Sequence, residues 1–288
     1  MAFSGTVRIQ INGTWTTLTY NSTTGAYEGS ITAPGQTSRN QPGGVYVATA
    51  EATNTAGTKV TKTANLTVKE TVKPVITITS PSNGAYVANN KQPIVFTMVD
   101  EVNGSGIDEN SLVVKIDGTA VTSGIVKTAI TNGFSVTVTP TTFSDGSHTV
   151  SVDVSDLDGN KAVQKSATFT VDTIPPTLNI TSPADNLITN QTNCVVAGQT
   201  NDTTSSPVVL TVNGTAVTVN ADGTFSKTLT LAEGVNTITI KSTDKAGKST
   251  TVTRTVTLDT SVPVIESVTI TPNPANTGQT MQIKVVVS

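Results

Sequence analysis

Apolar side chains along this chain recur at every second residue rather than every third or fourth. From Pro207 to Gly214, Val208, Leu210 and Val212 fall on one face. Between Asn236 and Lys241, Ile238 and Ile240 point one way while Thr237 and Thr239 point the other. Near the end, Ile283, Val285 and Val287 alternate with Gln282 and Lys284. No stretch carries a sustained 3.6-residue apolar period. Such alternation gives each strand one apolar and one Thr-rich face, as an antiparallel sheet with one wet side requires. Thr and Val together supply about a third of the 288 residues, and β-branched side chains suit pleated strands better than helices. The spacing predicts an all-β chain.

Three signatures repeat. Pro74–Pro81 and Pro176–Pro183 open alike (PVITITSP and PTLNITSP), and Pro263 to Pro272 opens a third time. Ile11-Asn12-Gly13-Thr14, Ile116-Asp117-Gly118-Thr119 and Val212-Asn213-Gly214-Thr215 each predict a β-hairpin, because Asn-Gly and Asp-Gly accept the positive φ of a type I′ turn. Ala56-Gly57, Asp158-Gly159 and Ala246-Gly247 mark a further turn between two strands. The period is that of one β-sandwich domain.

These residues resemble tandem bacterial immunoglobulin-like repeats. The resemblance rests on Lys245-Ala246-Gly247-Lys248, on Val171-Asp172-Thr173-Ile174-Pro175-Pro176, on Leu258-Asp259-Thr260-Ser261-Val262-Pro263, and on Gly104–Asp108 running into Val113–Gly118. It implies tandem immunoglobulin-like β-sandwiches in a rod, a design found in phage virion proteins, adhesins and cell-wall enzymes alike, so fold follows from it more closely than function. Cys194, the sole cysteine, falls in the second strand of its repeat; without a partner it reads as a small buried hydrophobe.

Aligning the signatures divides the chain into 1–70, 71–173, 174–260 and 261–288. The second and third segments carry every signature. The first starts directly at its Asn-Gly hairpin and lacks the two opening strands, whereas the last consists of those two strands alone. An incomplete domain is thus expected at each end. One expectation is that Ile283, Val285 and Val287 of one copy complete the first domain of another by strand complementation. Such a head-to-tail contact forms a ring or a filament. The alternatives are a first domain that is a complete five-stranded variant and a tail that is a partly ordered stub or docks on another protein.

Charge narrows the function. Lys+Arg 17 against Asp+Glu 20 gives a net charge of −3, without the basic excess that nucleic-acid binding needs. No apolar run approaches the ~20 residues of a membrane helix. The residues after Met1 enter a strand-like pattern at once, with no signal segment, which points to a route other than ordinary secretion.

His148, the only histidine, follows the turn Ser144–Ser147 and reads as a solvated turn-edge residue rather than a general base. No zinc spacing and no phosphate loop occurs, so the chain is expected not to be an enzyme and to require no cofactor. Asp153, Asp156, Asp158 and Asp172 are the candidate metal ligands, with Asp100, Glu101, Asp108 and Glu109 in another loop. Calcium fits them by chemistry, and the resemblance implies that such adhesin repeats can bind calcium at domain junctions. The corresponding turns at Asn54–Thr58 and Thr243–Lys248 have lost most of their carboxylates, so solvated turn acids are the other reading. Five of the eleven aromatics lie in the first 70 residues; Trp15, Tyr20 and Tyr27 are the candidate contacts for a sugar or a protein pocket, and the same residues also read as the core of a smaller domain.

The expected role is a non-enzymatic structural or interaction protein. The first setting is the surface of a phage or phage-tail-like virion, with other virion proteins, copies of itself or a host-surface glycan as partners. The second is a bacterial cell-surface adhesin or matrix filament.

Overall fold

The computed structural model describes residues 3–140 and 142–288. It divides into two compact units, Met1–Thr173 and Ile174–Ser288. Apart from two 3-10 turns, Ser38–Asn40 and Pro42–Gly44, the regular elements described are strands.

Unit one holds two modules. The first contains β1 (Gly5–Ile11), β2 (Thr14–Thr17), β3 (Thr19–Asn21), β4 (Ala26–Glu28), β5 (Tyr46–Asn54) and β6 (Lys59–Leu66). Its sheet runs β2-β1-β5-β6, and β3 and β4 form a separate ribbon. Among the described residues its core buries Ile11, Tyr46 and Ala48, with Ile9, Leu66 and Val68 packed against them.

The second module contains β7 (Val75–Ser80), β8 (Tyr86–Val87), β9 (Ile94–Val99), β10 (Ile107–Ile116), β11 (Thr119–Ala120), β12 (Ile125–Ile130), β13 (Gly133–Val138), β14 (Gly146–Asp156) and β15 (Lys165–Val171). Two sheets, β11-β10-β14-β15-β8 and β12-β13-β9-β7, face each other. Alternate residues from both meet in the core: Ile76, Phe96, Met98 and Val136 from one, Val114, Val150, Val152 and Phe169 from the other. Phe96 is fully buried, worth roughly 2–3 kcal/mol of apolar transfer.

Unit two repeats the plan with β16 (Thr177–Ser182), β17 (Leu187–Thr189), β18 (Asn193–Asn201), β19 (Val209–Val212), β20 (Thr215–Val217), β21 (Thr224–Thr230), β22 (Gly234–Thr243) and β23 (Ser249–Leu258). Its sheets are β16-β18-β21 and β17-β23-β22-β19-β20. After these, β24 (Ile265–Thr271) and β25 (Gln282–Val287) pair with each other and, among the described residues, with no other strand.

The turns follow the residues that form them. Asn12, Asp117 and Asn213 have φ of 48°, 49° and 48°, and the glycines after them 79°, 80° and 76°, as the type I′ hairpin needs. Each opening strand breaks at its Ser-Pro bond, after which β8 and β17 cross to pair in parallel with β15 and β23. The spacing of signatures did not disclose those two short strands, nor β12, β13 and β21.

Candidate cation site where the first two modules meet

One turn recurs in each module with the same hydrogen bonds. The amide of Asn54 donates to Thr58 O, and the Thr58 amide returns a bond to Asn54 Oδ1. Asp156 and Asn160 do the same in the second module, and Asp244 and Lys248 in the third. The side chain three residues before the turn glycine therefore folds back over its own loop. In the second module that residue is a carboxylate, Asp156, 1% exposed, whose Oδ2 also accepts from Asn160 Nδ2 at 2.8 Å.

Two further segments bring carboxylates to Asp156. Glu70 comes from the chain leaving the first module. Its Oε1 accepts from Ser105 Oγ at 3.1 Å, its Oε2 from the Val72 amide at 2.7 Å, and its carbonyl from Asn160 Nδ2 at 3.0 Å. Asp100 ends the β9 segment and is 4% exposed. Its Oδ2 accepts from the Gly106 amide at 2.7 Å, while Oδ1 is buried without a hydrogen-bond partner. One oxygen each of Glu70, Asp100 and Asp156 lies within 4.8 Å of the others. Oxygens at that spacing can share an ion that binds each at about 2.4 Å, the calcium–oxygen distance.

Glu101 flanks the group. Its Oε2 is also buried without a partner, and burial together with the adjoining Asp100 and Glu70 carboxylates pushes its pKa up to about 7. Gly104 makes room here, since a Cβ on it would stand 2.5 Å from Asp100 Oδ2 and 2.9 Å from Glu101 Cδ. Bare carboxylate oxygens beside like charges are costly. The donor set of hard oxygens suits calcium, so the residues present fit that ion.

Beside this group a clamp ties the modules together. Arg39 Nε donates to Asp158 Oδ1 at 2.8 Å and Thr37 Oγ1 to Oδ2 at 2.6 Å, while the Glu70 amide reaches Oδ2 at 3.1 Å. Arg39 Nη2 also donates to Leu157 O, and Asn40 Nδ2 to Asn103 O at 2.6 Å. Burial disfavours the Asp158 charge, but these donors and the guanidinium outweigh it and hold its carboxyl below the ordinary range.

Of the four aspartates singled out by sequence, only Asp156 joins Glu70 and Asp100. Asp158 faces Arg39. Asp153 accepts from Gln164 Nε2 at 2.6 Å and pairs with Lys161 at 3.3 Å. Asp172 is buried after β15, its amide bonded to Val87 O. Sequence reasoning placed Asp100 and Glu101 in another loop and did not single out Glu70, since no motif links residues that only the fold brings together.

Trp15 lies half-buried under the Arg8 guanidinium, 4.2 Å from the ring centre. Tyr20 and Tyr27 stack tilted on the β3–β4 ribbon with centroids 5.4 Å apart, and Tyr27 Oη donates to Phe3 O. Ile283, Val285 and Val287 are exposed on the hairpin at 66%, 48% and 55%. Cys194 is buried in its core as expected, which raises its thiol pKa.

His148 departs from expectation. It is 8% exposed rather than solvated, with Nδ1 2.7 Å from Asp117 Oδ2 and Nε2 2.8 Å from Ser144 O. The ring is drawn inward because Phe143 and Phe169 pack on it. Its outer nitrogen meets a backbone carbonyl, not a hydroxyl it could activate.

Paired sheets, Greek-key order and the hairpin turns define tandem immunoglobulin-like β-sandwiches. Residues 75–173 match the bacterial Ig-like domain family, and residues 176–260 match domain B of glucodextranase. Residues 75–173 are thus one bacterial immunoglobulin-like repeat within a chain of tandem β-sandwiches. No curated protein matches it. Among solved structures it is similar to the fibronectin(III)-like modules of Clostridium thermocellum CbhA, at 16% identity, covering 64% of this chain and 94% of that one (TM-score 0.42). It is also similar to a tetra-tandem repeat in the extending region of a large adhesion protein, at 21% identity, covering 100% and 81% (TM-score 0.33). A third is a 1.5-MDa bacterial ice-binding adhesin, at 23% identity, covering 90% and 88% (TM-score 0.30). Among the described residues no helix is long and apolar enough to cross a membrane.

Proposed function

We infer that this chain is a non-enzymatic structural spacer displayed on the outside of a particle or cell, with calcium stiffening the junction of its first two modules. The observation that carries this reading is the group of Glu70, Asp100 and Asp156, which joins the inter-module segment to two loops of the second module with partnerless oxygens on Asp100 and Glu101. In that reading Glu70, Asp100, Glu101 and Asp156 hold the ion, and the Asp158–Arg39 clamp fixes the approach of the first module. The ion supplies positive charge that lets the carboxylates stay ionised at close range. A stiff joint keeps whatever the outer modules bind at a set distance from the anchor. A virion capsid or tail is the proposed setting, with a bacterial surface as the alternative; a host glycan or another surface protein is the proposed partner.

The test is nuclear spin relaxation of the full chain. The first two modules should tumble as one body with calcium and separately after chelation. Equal tumbling in both conditions would remove the ion from the account. Antibody labelling of released virions and of the producing cells distinguishes the two settings.

A second reading concerns assembly. The first module has one four-stranded sheet and a two-stranded ribbon where each of the two modules after it pairs two sheets of three to five strands, and the β24–β25 hairpin bares Ile265, Val268, Ile270, Ile283, Val285 and Val287. A hairpin from one copy laid over the first sheet of another would cover both. Mass that rises with concentration, and stays monomeric for Val285→Asp, is the result expected; a monomer throughout would refute it.

A further inference from the structure

We propose that His148 is a pH-sensitive latch that holds the turn before β14 closed while the imidazole is charged and releases it on deprotonation. Both partners of the ring are acceptors. Asp117 offers a carboxylate oxygen at 2.7 Å, and Ser144 a backbone carbonyl at 2.8 Å. A neutral imidazole carries one N–H and can satisfy only one of them, whereas the imidazolium donates to both. Loss of the proton must therefore leave a lone pair facing an acceptor on one side of a nearly buried ring.

The surroundings favour the cation. Phe143 and Phe169 pack against the imidazole with centroids 4.8 Å and 5.8 Å away, tilted at 50° and 37°, and neither offers a hydrogen-bond partner. Asp117 is the charged group that meets the ring from the β10–β11 turn. It is held there by the Thr149 amide, which donates to its Oδ1 at 2.7 Å. From the turn before β14 the titratable group is Asp145, which spends its two oxygens on the amide and hydroxyl of Thr173. The strand behind, β15, presents the uncharged Phe169. Burial opposes the charge, and the bonds to Asp117 and Ser144 O outweigh it, so the pKa lies above 6.5.

The latch acts on more than one side chain. Ser144 sits between Phe143, whose amide is tied to Asn90 O at 2.7 Å, and Asp145, which anchors Thr173 at the end of unit one. A neutral His148 loosens the middle of that staple. A group whose folded pKa is raised stabilises fully below its unfolded pKa near 6.5, and the contribution fades as pH climbs through the folded value. The turn is therefore held closed below about pH 6.5 and opens as pH rises through the folded value.

The test follows the His148 ring protons by NMR in the full chain, with amide exchange at residues 143–148 corrected for intrinsic base catalysis. The latch predicts a titration above 6.5, and protection that falls as pH rises from about 6.5 to the folded value and levels off above it. Asp117→Asn keeps a hydrogen-bonding group but removes the charge, and should shift the titration down while weakening protection near neutrality. A ring that titrates at or below 6.5, or protection at residues 143–148 that is flat across the titration, would overturn the proposal. If Asp117→Asn fails to fold, the wild-type titration and exchange profile decide the question alone.

Discussion

Arg39 and Asp158 form a 2.8 Å ion pair across the boundary of the first two modules, with the aspartate side chain 4% exposed and the arginine 46%. The pairing is asymmetric: the carboxylate has left water and the guanidinium has not. Deleting the arginine would leave a desolvated charge with only Thr37 and an amide, which costs more than losing a surface pair. Because Arg39 is half in water, the expected loss from Arg39→Ala is about 1–2 kcal/mol rather than the full value of a buried pair. Trp15 is the only tryptophan and lies in the first module, so its fluorescence reports that module selectively. Urea unfolding should show an earlier Trp15 transition in the variant; an unchanged midpoint would mean the clamp does not hold the first module.

Gly198 on β18 pairs with Ile180 on β16. A Cβ there would stand 2.2 Å from Asn179 O and 3.0 Å from Phe225 Cζ. Backbone cannot retreat as a flexible side chain can, so Gly198→Ala is expected to cost about 1–3 kcal/mol. Calorimetry should show a lower melting temperature for the third module while the Trp15 transition is unmoved.

Asp153, a metal candidate by sequence, has a structural role instead. The Gln164 amide and, despite some burial, Lys161 hold its carboxyl below the ordinary 3.8. A depressed carboxylate stabilises above its unfolded pKa and loses that contribution as pH falls through the folded value. Asp153→Asn should therefore be less stable than wild type at neutral pH, with the gap closing below about pH 3.8. A gap constant down to pH 2 would assign the effect to something other than the charge.

Architecture was readable where one residue type forces one geometry. Asn12-Gly13, Asp117-Gly118 and Asn213-Gly214 take the positive φ that their chemistry allows, and Val212 and Ile240 face the core as alternation predicts. β8 and β17 escaped because two or three residues cannot show a period, and β21 (TFSKTLT) because its apolar positions are diluted by polar ones. The carboxylate group was half legible. Asp156 stood out beside its turn glycine, but Glu70 and Asp100 reach it from segments far apart in sequence. His148 was misread because the Asp117 and phenylalanine contacts that bury it are tertiary.

The central claim is that Glu70, Asp100 and Asp156 bind calcium at the junction. Titration calorimetry of calcium into the full chain, against Asp100→Asn, tests it most directly. The account predicts a saturable heat in wild type that weakens at least tenfold in the variant, about 1.4 kcal/mol of binding free energy. Wild-type binding that the variant leaves unchanged, or no heat accompanied by no shift in melting temperature, would contradict it.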